Sequence, residues 1–107
     1  MASSTDISLV KRKITRYIKT LRLHHVEPLK VYLFGSYASG KAREHSDIDL
    51  AVVAECLSGH PVNDFVQLMK LRRKIDYRIE PHPFRPEDFT EDNPEAAEIM
   101  RTGIRII

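Results

Sequence analysis

Asp47 and Asp49 are separated by one residue and lie in an otherwise apolar run, "DIDLAVVA". Alternate residues of a strand point to the same face, so the two carboxylates project together while Ile48 and Leu50 go to the core. At a rise near 3.3 Å per residue their Cα atoms lie about 6.5 Å apart. Like charges this close repel, and Asp is depleted in strands, so the pair calls for a compensating cation. Mg²⁺ suits it, because that ion takes oxygen ligands and commonly combines one or two carboxylates with substrate phosphates. Upstream, Gly35 and Ser36 follow the apolar run "LKVYLF". A Gly-Ser turn at a strand end lets backbone N–H groups approach a phosphate, and the hydroxyl adds a donor. Ten residues, Tyr37 to Ser46, join the halves. An ordinary turn or a solvated strand would explain either half alone. The combination arises by chance in on the order of one chain in a thousand of this size.

The stretch "GSYASGKAREHSDIDL" resembles the signature of the DNA polymerase β-like nucleotidyltransferase superfamily, in particular its minimal nucleotidyltransferase domains. The resemblance runs over almost the whole chain, to the closing "EIMRTGIRII". It implies the nucleotidyltransferase fold and an Mg²⁺-dependent enzyme that uses two ions, with Mn²⁺ as a substitute. The reaction implied is transfer of a nucleoside monophosphate, AMP from ATP or another NTP, to an acceptor hydroxyl. Carried over by position, Gly35 and Ser36 hold the nucleotide's phosphates, and Asp47 and Asp49 are catalytic metal ligands. Ser39 stands where many relatives have Arg, which leaves Lys41 and Arg43 as the nearby cations for the triphosphate. Such minimal domains are often encoded beside a HEPN-domain partner, and some act as antitoxins by attaching AMP to it. A toxin–antitoxin-type pair in which a HEPN-type protein supplies the acceptor is therefore the implied setting. The competing reading is an antitoxin module that binds nucleotide and neutralises its partner by complex formation, with little catalysis.

The resemblance also requires a third acid on a later strand. In "KIDYRIEPHPF", read as a strand from Lys74 to Pro81, Asp76, Arg78 and Glu80 share one face. Asp76 matches the family's usual position, an Asp after an aliphatic residue, and is taken as the catalytic third ligand. Glu80 is the alternative. His82, between two prolines, is open to a substrate contact or a packing role.

The elements that must position these groups follow from periodicity. Asp6 caps a helix running to about His25, with Ile7, Val10, Ile14, Tyr17, Ile18 and Leu21 on one face. Residues 29–35 and 47–54 read as strands. Val62, Phe65, Val66 and Met69 mark a second amphipathic helix to about Arg73. Pro86-Glu87-Asp88 opens a short helical turn, and Asn93, Pro94, Glu95 and Gly103 punctuate a last helix, with "IRII" as an edge strand. The order α-β-β-α-β-α predicts an α/β (α+β) domain: a small mixed sheet with helices packed on one face and the site on the other.

Bulk properties limit the remaining choices. At 107 residues without repeats, the chain is read as one domain over 1–107. A net charge of +2 is too small to argue for nucleic acid, which is disfavoured as a partner, and the basic first helix and "KLRRK" read as solvated faces. No apolar run approaches the roughly 20 residues of a membrane span. The N-terminal "MASSTDISLVKRK" has no apolar signal core, and the single Cys56 makes no internal disulfide. Both point to the reducing cytoplasm. A homo-oligomer is compatible with all of this.

Overall fold

The computed structural model describes residues 6–107, so Met1–Thr5 of the N-terminal reading lie outside the described residues. Helix α1 (Ile7–Leu23) is capped by Asp6, whose carboxylate accepts from the Ser8 N–H at 2.8 Å. Strand β1 (Lys30–Phe34) leads directly into a four-residue helix, α2 (Ser36–Ser39). Strand β2 (Ile48–Val53), helix α3 (Pro61–Lys70) and strand β3 (Ile79–Phe84) follow. A 3₁₀ turn (Pro86–Asp88), helix α4 (Pro94–Thr102) and the two-residue strand β4 (Ile104–Arg105) complete the chain.

The four strands form one mixed sheet in the order β3-β2-β1-β4. β1 pairs antiparallel with β2 and β4, and β2 pairs parallel with β3. The expected α+β architecture is present. Val31 and Leu33 of β1, with Ile48, Leu50 and Val52 of β2, pack against Val10, Ile14, Tyr17, Ile18 and Leu21 of α1 and Leu68 of α3. The buried Tyr17 hydroxyl donates to the Leu68 carbonyl at 2.7 Å, which ties the two helices together.

Two details differ from the sequence reading. Helix α4 lies on the opposite face, where Ala96 and Ile99 join Tyr32, Ala51, Val53, Phe84 and Phe89 in a second, smaller apolar cluster. That face is therefore half covered, and the remaining strip carries the polar residues. Helix α3 also presents an unexpected side. Leu68 is buried, with the Asp64 carboxylate accepting from the Ser58 N–H, the Ser58 hydroxyl and the Gly59 N–H. Val62 and Val66, two of the residues that mark its apolar stripe, are exposed.

The third strand requires a larger correction. Residues 71–78 wind into turns: Ile75 N–H and Asp76 N–H both donate to the Arg72 carbonyl, and Ile79 N–H donates to the Asp76 carbonyl. The strand begins only at Ile79 and runs through Pro81 and Pro83. Prolines are tolerated there because β3 is an edge strand, whose outward-facing positions need no N–H donor.

Candidate functional site

The parallel register of β2 and β3 sets Asp49 beside Glu80, and the antiparallel register of β1 sets Phe34 on its other side. Asp49, Glu80 and His82 all lie on the sheet face opposite α1, as period-two alternation requires. One ligand atom from each of these three residues lies within 4.8 Å of the others. Asp47 stands exposed just before β2, with its carboxylate beside that of Glu80. Three carboxylates thus converge at the N-terminal end of β2. Burial, then hydrogen bonding of the protonated form to Asp47 and the charges of Asp47 and Asp49, pushes the Glu80 carboxyl above its ordinary value, with His82 opposing.

His82 ties this cluster to its surroundings. Its Nε2 is 3.3 Å from Asp49 Oδ1 and its Nδ1 is 3.8 Å from Glu95 Oε1 in the first turn of α4. The ring also meets Phe34 edge-on, with centroids 4.8 Å apart. Burial alone would lower the imidazole pKa. The bond to Asp49 and the charges of Asp49, Glu80 and Glu95 outweigh that and raise it.

Gly35 forms the wall beside Asp49. Its backbone has φ 73° and ψ −147°, a conformation that is essentially glycine's alone. A Cβ there would stand 2.3 Å from Asp49 Oδ2, so only glycine lets the strand end lie against the carboxylate. Ser36 opens α2, whose first N–H groups have no acceptor within the helix. The Ser39 hydroxyl donates to the Ser36 carbonyl at 3.2 Å. Lys41 and Arg43 are exposed on the following loop, which the Arg43 N–H closes by donating to Ser46 Oγ at 2.7 Å.

Asp76 is not brought to this cluster. Once residues 71–78 form turns rather than strand, its carboxylate is taken by two cations: Lys13 Nζ at 2.7 Å and Arg78 Nη2 at 2.8 Å. Its Oδ1 also accepts from the Arg78 N–H. Burial would raise this carboxyl, but hydrogen bonds from Arg78 and Lys13 outweigh it and hold it well below the usual carboxylate range. The structure places Glu80, not Asp76, opposite Asp49. Glu95 had no signal in the sequence beyond its place in a helical first turn. The parallel β2–β3 pairing, not visible in the residues alone, brings Glu80 and His82 to the site.

The donor set fits a hard divalent cation. Carboxylate oxygens dominate it, an imidazole stands beside them, and a cation would offset the repulsion among the carboxylates.

The family model described as polymerase beta, nucleotidyltransferase matches residues 12–107. A Methanocaldococcus jannaschii protein, provisionally named as a protein adenylyltransferase, is 35% identical over 85 residues. That match covers 74% of this chain and 57% of the relative, so the chain spans a little over half the relative's length. The crystal structure of a provisionally assigned nucleotidyltransferase from Sulfolobus solfataricus superposes with a TM-score of 0.64 at 18% identity. It covers 98% of this chain and 87% of that one, a likeness of fold. The crystal structure of a toxin–antitoxin with AMP-PNP superposes with a TM-score of 0.61 at 26% identity, covering 91% of this chain and 72% of that one.

Proposed function

The chain belongs to the polymerase β nucleotidyltransferase family, and from that premise we propose that it transfers AMP from ATP to a hydroxyl on a partner protein. The observation that carries this reading is the convergence of Asp47, Asp49 and Glu80 beside a glycine wall. These three carboxylates would hold Mg²⁺, with Mn²⁺ as a substitute. Bound there, the metal supplies charge neutralisation for the leaving pyrophosphate and a lowered pKa for the attacking hydroxyl. Gly35 lets the β1–α2 turn approach the phosphates, and Ser36 with the first N–H groups of α2 orients them. Lys41 and Arg43, on the loop that follows, supply positive charge to the triphosphate. His82 holds Asp49 in place through Nε2 and is itself held by Phe34 and Glu95.

A protein acceptor is supported by the provisional name of the M. jannaschii relative and by the toxin–antitoxin assembly among the structural neighbours. The partner would be of HEPN type, the chain would act as one domain over 1–107, and the setting would be the cytoplasm, where ATP is available.

The test is incubation with α-labelled ATP, Mg²⁺ or Mn²⁺ and a HEPN-type protein encoded beside this chain, followed by mass spectrometry. The expected product is an AMP adduct that Asp47→Asn/Asp49→Asn abolishes. Equal transfer by that variant would refute the assignment. Ser39 favours a second reading: an exposed hydroxyl, bonded within α2, brings no charge to the triphosphate. A stable complex without any adduct would support that reading, an antitoxin module acting by contact.

A further inference from the structure

Helix α3 carries an apolar face that is left largely open among the described residues. Val62, Val66 and Met69 stand at i, i+4 and i+7, a ridge spanning about 10 Å at 1.5 Å per residue. Val62 is 63% exposed, Val66 43%, and the nearby Tyr77 79%. Single exposed apolar residues are ordinary, but a contiguous set marks an interaction surface. Phe65, Val66, Met69 and Tyr77 line a groove of about 410 Å³, with Lys70 and Arg73 on its rim. Lys70, Arg73 and the following Lys74 are exposed and form no ion pair among the described residues.

We infer that this face docks an amphipathic helix of another protein, with apolar residues at i, i+3 or i+4 and i+7 flanked by Asp and Glu. The ridge spacing sets the apolar pattern of the occupant, and the unpaired cations set its charge. Stacking on Tyr77 with phosphates on the cations would suit single-stranded RNA. A valine–methionine floor, however, offers nothing to sugar or phosphate, and it favours a protein side chain. The position matters for function, because Phe65 also lines a second groove of about 530 Å³ that runs to His82 and Glu95. A helix seated on α3 holds its neighbouring residues beside the carboxylates. The inference rests on the reading that the acceptor belongs to a protein, and it adds where that protein is held.

The test uses a phage-displayed library of 18-residue helical peptides selected on the whole chain, with the consensus peptide then synthesised and titrated by fluorescence anisotropy. Expected are sequences with the stated apolar spacing and acidic flanks. The consensus should bind at least tenfold more weakly to Val66→Asp, and to Lys70→Glu/Arg73→Glu as an independent variant. Both substitutions lie on exposed side chains and should leave the circular-dichroism spectrum unchanged. Asp49→Asn should bind the peptide normally, so lost docking and lost transfer are read separately. Failure to enrich, a consensus without acidic flanks, or equal binding by both variants overturns the proposal. So does tighter binding of a 20-nucleotide single-stranded RNA that Val66→Asp removes. A dimer seen in sedimentation and abolished by Val66→Asp would also overturn it, by giving the face to a second copy.

Discussion

Replacing Gly35 with alanine should damage the fold and the site together, in proportions that the geometry allows to be separated. The residue sits at φ 73° and ψ −147°, where a non-glycine residue costs on the order of 1–3 kcal/mol. Its new Cβ would meet Asp49 Oδ2 at 2.3 Å and Cγ at 3.2 Å, so the carboxylate must move. For a domain near 100 residues, each kcal/mol lowers Tm by about 4–8 °C, giving a fall of about 4–24 °C. Gly40 provides the control. It also has a positive φ, 78°, but in the ordinary left-handed region, and a Cβ there meets nothing within 4 Å. Gly40→Ala should therefore cost about 1 kcal/mol and leave metal binding intact. Thermal melts with and without Mn²⁺ and ATP read both effects. Gly35→Ala should melt lower and lose the ligand-induced rise, whereas Gly40→Ala keeps it. In a double-mutant cycle, Asp49→Ala should recover part of the Gly35→Ala loss by removing the clashing carboxylate. Equal melting temperatures and equal ligand responses for the two glycine variants would refute the close-approach argument.

Three further outcomes follow from the charged and buried polar groups. Asp76 has a folded-state pKa below its unfolded value near 3.9, so the stability it contributes is present above that pH and is lost as pH falls. Asp76→Asn should cost about 2–3 kcal/mol near pH 7, because it leaves Lys13 and Arg78 without their anion, and should flatten the acid limb of a melting-versus-pH curve. Tyr17→Phe removes the hydroxyl donor to the Leu68 carbonyl, which keeps only the longer bond from the Leu71 N–H at 3.3 Å, and should cost about 1 kcal/mol in urea unfolding, with no change in metal binding. In the presence of chelator, Asp47→Asn should stabilise the chain by up to about 1 kcal/mol, since it removes a charge that repels Glu80, while solvent screening at the exposed Asp47 keeps the gain small. Mn²⁺ should reverse that order, stabilising the unmodified chain more than the variant.

Local signals carried much of the fold. The Asp6 and Asn93 caps, the α1 apolar stripe and the alternation of β1 all acted on neighbouring residues, and each appears where the spacing puts it. The Gly35-Ser36 turn and the Asp47–Asp49 pair were equally legible, because their chemistry is unusual for strand ends. Tertiary pairing was not. Pro81 and Pro83 argue against a strand by their own chemistry, and only the position of β3 at the sheet edge makes them acceptable. Asp76 and Glu80 are both acids in the same short stretch. What separates them is a turn held by the Arg72 and Asp76 carbonyls and a parallel register with β2. Val62 and Val66 mislead in the same way: a helical stripe shows that an apolar face exists, not what covers it.

The central claim is that Asp47, Asp49 and Glu80 carry the metal and Asp76 does not. Titration of Mn²⁺ in the presence of a non-hydrolysable ATP analogue, followed by electron paramagnetic resonance, tests it directly. The unmodified chain, Glu80→Gln and Asp76→Asn should be compared below the melting temperature of the weakest. At least tenfold weaker Mn²⁺ binding is expected for Glu80→Gln, and near-normal binding for Asp76→Asn. Normal binding by Glu80→Gln, with loss in Asp76→Asn, would contradict it.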